Sequence, residues 1–434
     1  MKKFMLYFLM ALSCLACAVS VSAQTSSDIR GTLTIGVVAN QLSNWESIVE
    51  GYKAIRPNVK VEITTISPDS NSLLAQLATR KLSGKIPDII QSYDRFPRPF
   101  AESQFSVSLN EYLSQGKVQR SNFADRFITQ YEVIGGPYAG QIHGMPYSAD
   151  AVVLYYNKDM FDKAGVGYPT ADWQWSDLVE AAKKLTIKSG NNTVQYGFGG
   201  FYAWHATYVP AIKAFGGSFF KDGRVHLKTD AARKAFSSYL DNVKAGIFAT
   251  PAAIRTAGTW DIGFATELYA MSGMVRAQLP NVLNQGRVGM RFDVQLMPSF
   301  NGVRANGMGS IGMALSPQGA TNKRIAYDFF DYFYSPEGGM KVLTAKYGIV
   351  PPIKSLHDHP VWRSLPRNPA NSNAYVKAME TGEQNPGAIP GRAQGVIDQS
   401  ITAMVENVLI GGKSVEEALA IAENTINDFL AKNP

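Results

Sequence analysis

Residues 142–166 read IHGMPYSADAVVLYYNKDMFDKAGV, and the order of elements in this stretch decides the fold. His143-Gly144-Met145-Pro146 is expected to be irregular, because Gly is conformationally permissive and Pro lacks a donor. Ala151 to Tyr156 is a continuous β-prone run, the pattern of a strand covered on both faces. Asn157-Lys158-Asp159 then turns the chain into a helix capped by polar side chains. A loop, a doubly covered strand and a capped helix in that order suit a crossover between two halves of a chain.

Working outward, the amino-terminal side reads as alternating strands and helices. Leu33, Ile35 and Val37 alternate, and so do Val59, Val61 and Ile63. Between them Trp45, Ile48, Val49, Tyr52 and Ile55 fall at helical spacing, stopped by Pro57. A second helix carries Leu73, Leu74, Leu77 and Leu82 and closes at Gly84, ahead of a short buried strand at Pro87-Asp88-Ile89-Ile90. Strand–helix–strand–helix–strand implies parallel pairing with right-handed crossovers. Ligands then bind beyond the carboxyl ends of the strands. That places Asn40–Trp45, Gln91–Arg98 and the opening stretch near a site.

The other side is a second α/β set. Helices are expected at 176–185, 204–215 and from Asp230, with a hairpin turning at Asp222-Gly223 and a second crossover strand at Val294–Pro298. Residues 302–312 are Gly-rich, with few side chains to pack. Ile325, Ala326, Phe329, Phe330 and Phe333 mark an amphipathic helix, and the remainder of the chain is helical.

Composition bounds the function. Lys2 and Lys3, the apolar run Phe4–Val19 and the small residues Val21-Ser22-Ala23 read as a leader cleaved after Ala23. Both cysteines, Cys14 and Cys17, lie in it, so disulfides, thiol catalysis and Cys-ligated metals are not expected beyond it. The formal charge of +7, or +5 with Lys2 and Lys3 set aside, has no basic run, which argues against a nucleic-acid partner. No GxSxG, HExxH, P-loop or GxGxxG motif is present. His357 and His359 are close together but have no third ligand nearby in sequence, so no metal or other cofactor is expected.

Aromatic and charged residues in expected loops carry the chemistry instead: Tyr93-Asp94-Arg95-Phe96, Tyr147, Asp150, Trp204, Trp260-Asp261 and Arg276. A sugar offers hydroxyl groups and an apolar C–H face. Carboxylates and guanidinium groups pair with the first, and flat rings stack on the second.

The chain resembles the bacterial extracellular solute-binding proteins of sugar-uptake ABC transporters, the family of maltose-binding protein. The likeness is densest at GMPYSADAVVLYYNKDMFDKAGV, from Gly144, and WQWSDLVEAAKKLT, from Trp173. It continues at PDII from Pro87, AFGGSFF from Ala214, FATELYAM from Phe264, QLMPSF and GSIGMALSP after Gln295, AYDFFDYFYSPEG from Ala326, and GGKSVEEALAIA from Gly411.

The resemblance implies an α/β, periplasmic-binding-protein type II-like fold, with two α/β lobes joined by hinge crossovers and the ligand cleft between them. The expected division is a signal peptide at 1–23, lobe 1 at 24–148 plus 295–338, and lobe 2 at 149–294 plus 339–434. The expected ligand residues are Trp45, Tyr93, Asp94, Arg95, Tyr147, Asp150, Trp204, Trp260, Arg276, Gly309 and Ser310; of these the resemblance implies the turn at Tyr93-Asp94-Arg95 and the acidic Asp150. Arg276 falls near the place where maltose-binding protein has a stacking Trp, so maltose itself is not the expected ligand. The expected partners are a sugar or oligosaccharide and ABC permease subunits, for a monomer that is periplasmic and not an enzyme. The alternatives are an exported carbohydrate-active enzyme, or a binding protein for another solute such as glycerol phosphate, a polyamine or iron.

Overall fold

The computed structural model describes residues 29–433 apart from 69, 305, 347, 385, 387–388 and 391–392; the expected leader and its cleavage site at Ala23 lie outside the described residues. In chain order the strands are β1 (Gly31–Val38), β2 (Val59–Ile66), β3 (Ile89–Tyr93), β4 (Met145–Ala151), β5 (Val153–Asn157), β6 (Ile187–Ser189) and β7 (Asn192–Gly199). They continue with β8 (Phe220–Lys221), β9 (Arg224–Val225), β10 (Tyr269–Met274), β11 (Phe292–Leu296), β12 (Ser299–Phe300), β13 (Val303–Arg304) and β14 (Met308–Leu315). Two five-stranded sheets result, ordered β2-β1-β3-β14-β4 and β11-β5-β10-β7-β6. Each carries its own helices, giving two α/β lobes.

The first sheet begins as the periodicity dictates. Leu33, Ile35 and Val37 of β1 are fully buried. β1 runs parallel to β2 along its whole length and parallel to β3 on its other side. The helix Leu42–Ile55 makes the β1–β2 crossover and buries Trp45, Ile48, Val49 and Tyr52. Ile55, expected on that stripe, is largely exposed in its last turn.

Two segments differ from expectation. Residues 143–146 are not wholly irregular: β4 starts at Met145 and passes through Pro146. A proline is tolerated there because β4 is an edge strand, and its register with β14 shifts between Ile311 and Gly312, where Pro146 pairs. The Gly-rich stretch holds β14, the strand that joins β3 to β4 and runs antiparallel to both. Its glycines mark close approaches. A Cβ on Gly312 would run into the Met145 carbonyl oxygen and the Tyr131 ring. Gly312→Ala is therefore expected to cost about 2 kcal/mol by overpacking, read as a lower melting temperature. An unchanged value would mean that the approach is looser than drawn.

In the second sheet β5 lies between β10 and β11, antiparallel to each, and every residue of Val153–Asn157 is buried. Ile397, Ile401 and Met404 of one carboxyl-terminal helix and Leu419, Ala422 and Ile426 of the next pack in the same cluster as Val152, Leu154 and Tyr156.

The chain passes from one sheet to the other at the single residue Val152, and it returns through residues 297–307. The expected lobe boundaries therefore move. β4 stays with the first sheet to Ala151, and β11 stays with the second to Leu296. Residues 339–356, expected in the second lobe, join the first, because Met340, Leu343, Ile349, Ile353 and Leu356 pack in the cluster of Trp45 and Phe329. A third cluster spans the crossovers. It draws Ala149 and Ala151 from β4, Val153 and Tyr155 from β5, and Met308 from β14, and closes them under Trp362 and Tyr375.

Candidate functional site

The site is built where β3, β4 and β14 end side by side. The chain leaves β3 at Tyr93 and turns through Asp94 and Arg95 into Phe96, which is buried and stacks on Phe100. The Asp94 backbone N–H donates to the Ser310 carbonyl at 3.3 Å, tying the turn to β14. The Arg95 guanidinium lies over the rings of Tyr93 and Phe96, 4.6 and 5.0 Å from their centroids.

The β4–β14 register sets Gly309 opposite Asp150. A Cβ on Gly309 would sit 3.5 Å from Asp94 Oδ2. Asp94 and Asp150, 56 positions apart in sequence, thus flank the same glycine, whose missing side chain leaves the space between them open. Asp94 Oδ2, Asp150 Oδ1 and the nearby Gln130 Nε2 are buried without a hydrogen-bond partner. Ser310 Oγ lies 3.2 Å from the Tyr131 hydroxyl and also bonds Gln130 Oε1.

Burial pushes Asp94 up to about 6, opposed by the positive charge of Arg95. Burial pushes Asp150 up to about 7; the Ser148 hydroxyl opposes the rise, and the charge of Asp94 adds to it. Tyr147 has its ring in the core of the first lobe, edge-on to Trp45 and Phe333. Its hydroxyl feels the charge of Asp150, which helps burial to hold it protonated.

The second lobe contributes rings and one imidazole. Trp204 stands at the N-cap position of the helix His205–Ala214. The Trp204 and Trp260 rings lie 6.0 Å apart, and Trp260 lies 5.5 Å from Phe201. A cavity of about 260 Å³ opens beside them, lined by Phe201, Trp260, Ile254 and Val405 with Arg255 and Glu406.

His205 Nε2 is buried without a partner. Burial and the charge of Arg95 push His205 down to about 4, so it is neutral at pH 7. Asp398, on the helix Gln394–Leu409, accepts from Gln394 Nε2 at 2.8 Å and also feels Arg95. Arg95 of the first lobe thus faces His205 and Asp398 of the second. His205, Gln130, Tyr131 and Asp398 were not foreseen from the sequence. They come from helical segments: Gln130 and Tyr131 hold the Ser310 hydroxyl, while His205 and Asp398 come under the charge of Arg95.

Two expected ligand residues lie elsewhere. Trp45 is fully buried, stacked on Phe333 at 5.4 Å and Phe329 at 6.4 Å. Its place on the apolar stripe of its helix puts it in the core of the first lobe. Arg276 is also fully buried. Its Nη2 donates to Asn368 Oδ1 at 2.7 Å, and its guanidinium lies over Trp362 and Tyr375. It clamps the chain beneath the crossovers instead of joining the two carboxylates.

A cavity of about 650 Å³ lies at the opposite end of the first sheet, lined by Thr32, Thr34, Arg80, Lys85 and Asp88. That is the amino end of the parallel strands, where α/β sheets do not place their ligands. Among the described residues no group of three or more His, Cys, Asp or Glu could hold a metal ion, and no helix is long and apolar enough to cross a membrane.

The family profile described as bacterial extracellular solute-binding protein matches residues 48–370. A binding protein of Brucella abortus (strain 2308) is 25% identical over 291 residues, which is 66% of this chain and 62% of the relative. The match thus spans less than two thirds of that curated relative. The arabinooligosaccharide-binding protein of Halalkalibacterium halodurans is 26% identical over 239 residues, 52% of this chain and 50% of the relative. An ABC substrate-binding protein of Listeria monocytogenes, solved with cycloalternan, superposes with a TM-score of 0.77 at 22% identity. That superposition covers 93% of this chain and 100% of the other, a likeness of fold.

Proposed function

The chain belongs to the bacterial extracellular solute-binding protein family, and from that membership we propose that it binds a sugar or oligosaccharide between its lobes and hands it to an ABC permease. It acts as a periplasmic monomer whose leader is removed near Ala23. One observation carries the reading: two carboxylates, each with one buried oxygen that has no hydrogen-bond partner, flank Gly309, with Trp204, Trp260 and Phe201 grouped in the other lobe. Unpaired buried acceptors are costly, and sugar hydroxyls donate to such oxygens while the ring face stacks on indole. Micromolar binding needs about 8 kcal/mol net, within reach of a few charge-assisted hydrogen bonds and one or two stacked rings. The crossovers at Val152 and 297–307 are the hinges about which the lobes close.

The test is a thermal-shift panel of mono- and oligosaccharides. A ligand at a hundred times its Kd adds about 2.7 kcal/mol to the folded state, so a cognate sugar should raise the melting temperature by several degrees. A broad panel giving neither a shift nor a tryptophan fluorescence change would sink the reading. A raised carboxylate pair is also what a carbohydrate hydrolase uses. Recovery of the bound sugar unchanged after long incubation separates binding from turnover.

A further inference from the structure

Resting on the sugar-binding reading, we propose that the ligand carries a protonated amino group held between Asp94 and Asp150, so that the cleft selects amino sugars over their neutral counterparts. Both carboxylates converge on the space above Gly309, Asp150 through the strand register and Asp94 through its Oδ2. Asp150 is nine-tenths buried, and its Oδ1 has no partner. The charges around them do not balance. Asp94, Asp150 and Asp398 lie in or beside the cleft, His205 is neutral, and Arg95 is the cation that faces Asp94 and Asp398. Asp94 repels the charged form of Asp150.

A neutral hydroxyl gives one proton to one carboxylate and leaves two like charges facing each other. An ammonium brings three donors and the missing positive charge, and its hydrogen bonds to carboxylates are roughly twice as strong as neutral ones. The same excess of negative charge argues against a phosphate-bearing ligand.

The experiment titrates the protein calorimetrically with pairs that differ by one group: glucosamine against glucose, galactosamine against galactose, and glucosamine oligomers against glucose oligomers of the same β-1,4 linkage. At least one amino form should bind tenfold or more tighter than its hydroxyl partner. That preference should vanish in Asp150→Asn and in Asp94→Asn, each first shown to melt cooperatively. Neutral sugars binding as well as or better than their amino partners would overturn this inference and leave the sugar-binding reading standing. Failure of every amino and neutral sugar would overturn both. A preference that survives in both variants would also overturn it, since the amino group would then be read elsewhere.

Discussion

Asp150→Ala is expected to weaken the best-shifting ligand a hundredfold or more while the ligand-free protein still folds. A hydrogen bond to a charged group contributes about 1.5–3 kcal/mol, and about 2.7 kcal/mol is a hundredfold in Kd. Folding is spared because the carboxylate forms no ion pair and its Oδ1 has no hydrogen-bond partner.

The pH dependence has a definite sign. The folded-state value of Asp150, about 7, lies above the ordinary 3.8. The native state therefore holds more protons than the unfolded chain across that window, and this residue's contribution to stability falls as pH rises through it. His143 and His205, pushed down to about 4 by burial, act in the opposite direction below their ordinary 6.5. The comparison is therefore variant against parent at each pH. The melting temperature of ligand-free Asp150→Ala, relative to the parent, should rise from pH 5 to pH 8. Normal ligand affinity in the variant would remove Asp150 from the site.

Val153→Asp is expected to abolish cooperative folding. Val153 is fully buried in β5, paired with Met274 on one side and Leu296 on the other. It belongs to the cluster that also holds Ala151 of β4 and Met308 of β14, so the damage reaches both lobes. A buried, unpaired carboxylate costs several kcal/mol, against a net stability of about 5–15 kcal/mol for a typical domain. Val153→Ile, which keeps the site apolar but adds a methylene, should cost about 1–3 kcal/mol and still melt cooperatively. Circular dichroism melts of the two variants decide the matter. A sharp transition near the parent temperature for Val153→Asp would mean that β5 is not covered on both faces.

What was legible in the sequence follows from what side chains report. β1 and β2 were readable because one face is buried and the period is two. β5 was readable because both faces are buried and the apolar run is unbroken. β14 was hidden because Gly309 and Gly312 carry no side chain, and its packing comes from Tyr131 and the β4 backbone. β4 was hidden by Pro146, which an edge position and a register shift accommodate. The helix Gly339–Ala345 falls in the remainder expected to be helical, but helical character does not say which sheet the helix will meet.

The cleft divides in the same way. Asp94, Arg95 and Asp150 lie on a strand end and beside a crossover, where position alone suggests a ligand. His205, Gln130 and Asp398 belong to helices and a helical turn whose orientation only the folded chain fixes. Trp45 was misassigned by weighing its nearness to a strand end above the helical spacing that already put it inward.

The most direct test is a crystal structure of the protein with the sugar that gives the largest thermal shift. That sugar should be enclosed between the lobes, its polar groups within hydrogen-bond distance of both Asp94 and Asp150 and a ring face on Trp204 or Trp260. A sugar bound instead in the groove of Arg80, Lys85 and Asp88, or touching neither carboxylate, would contradict it.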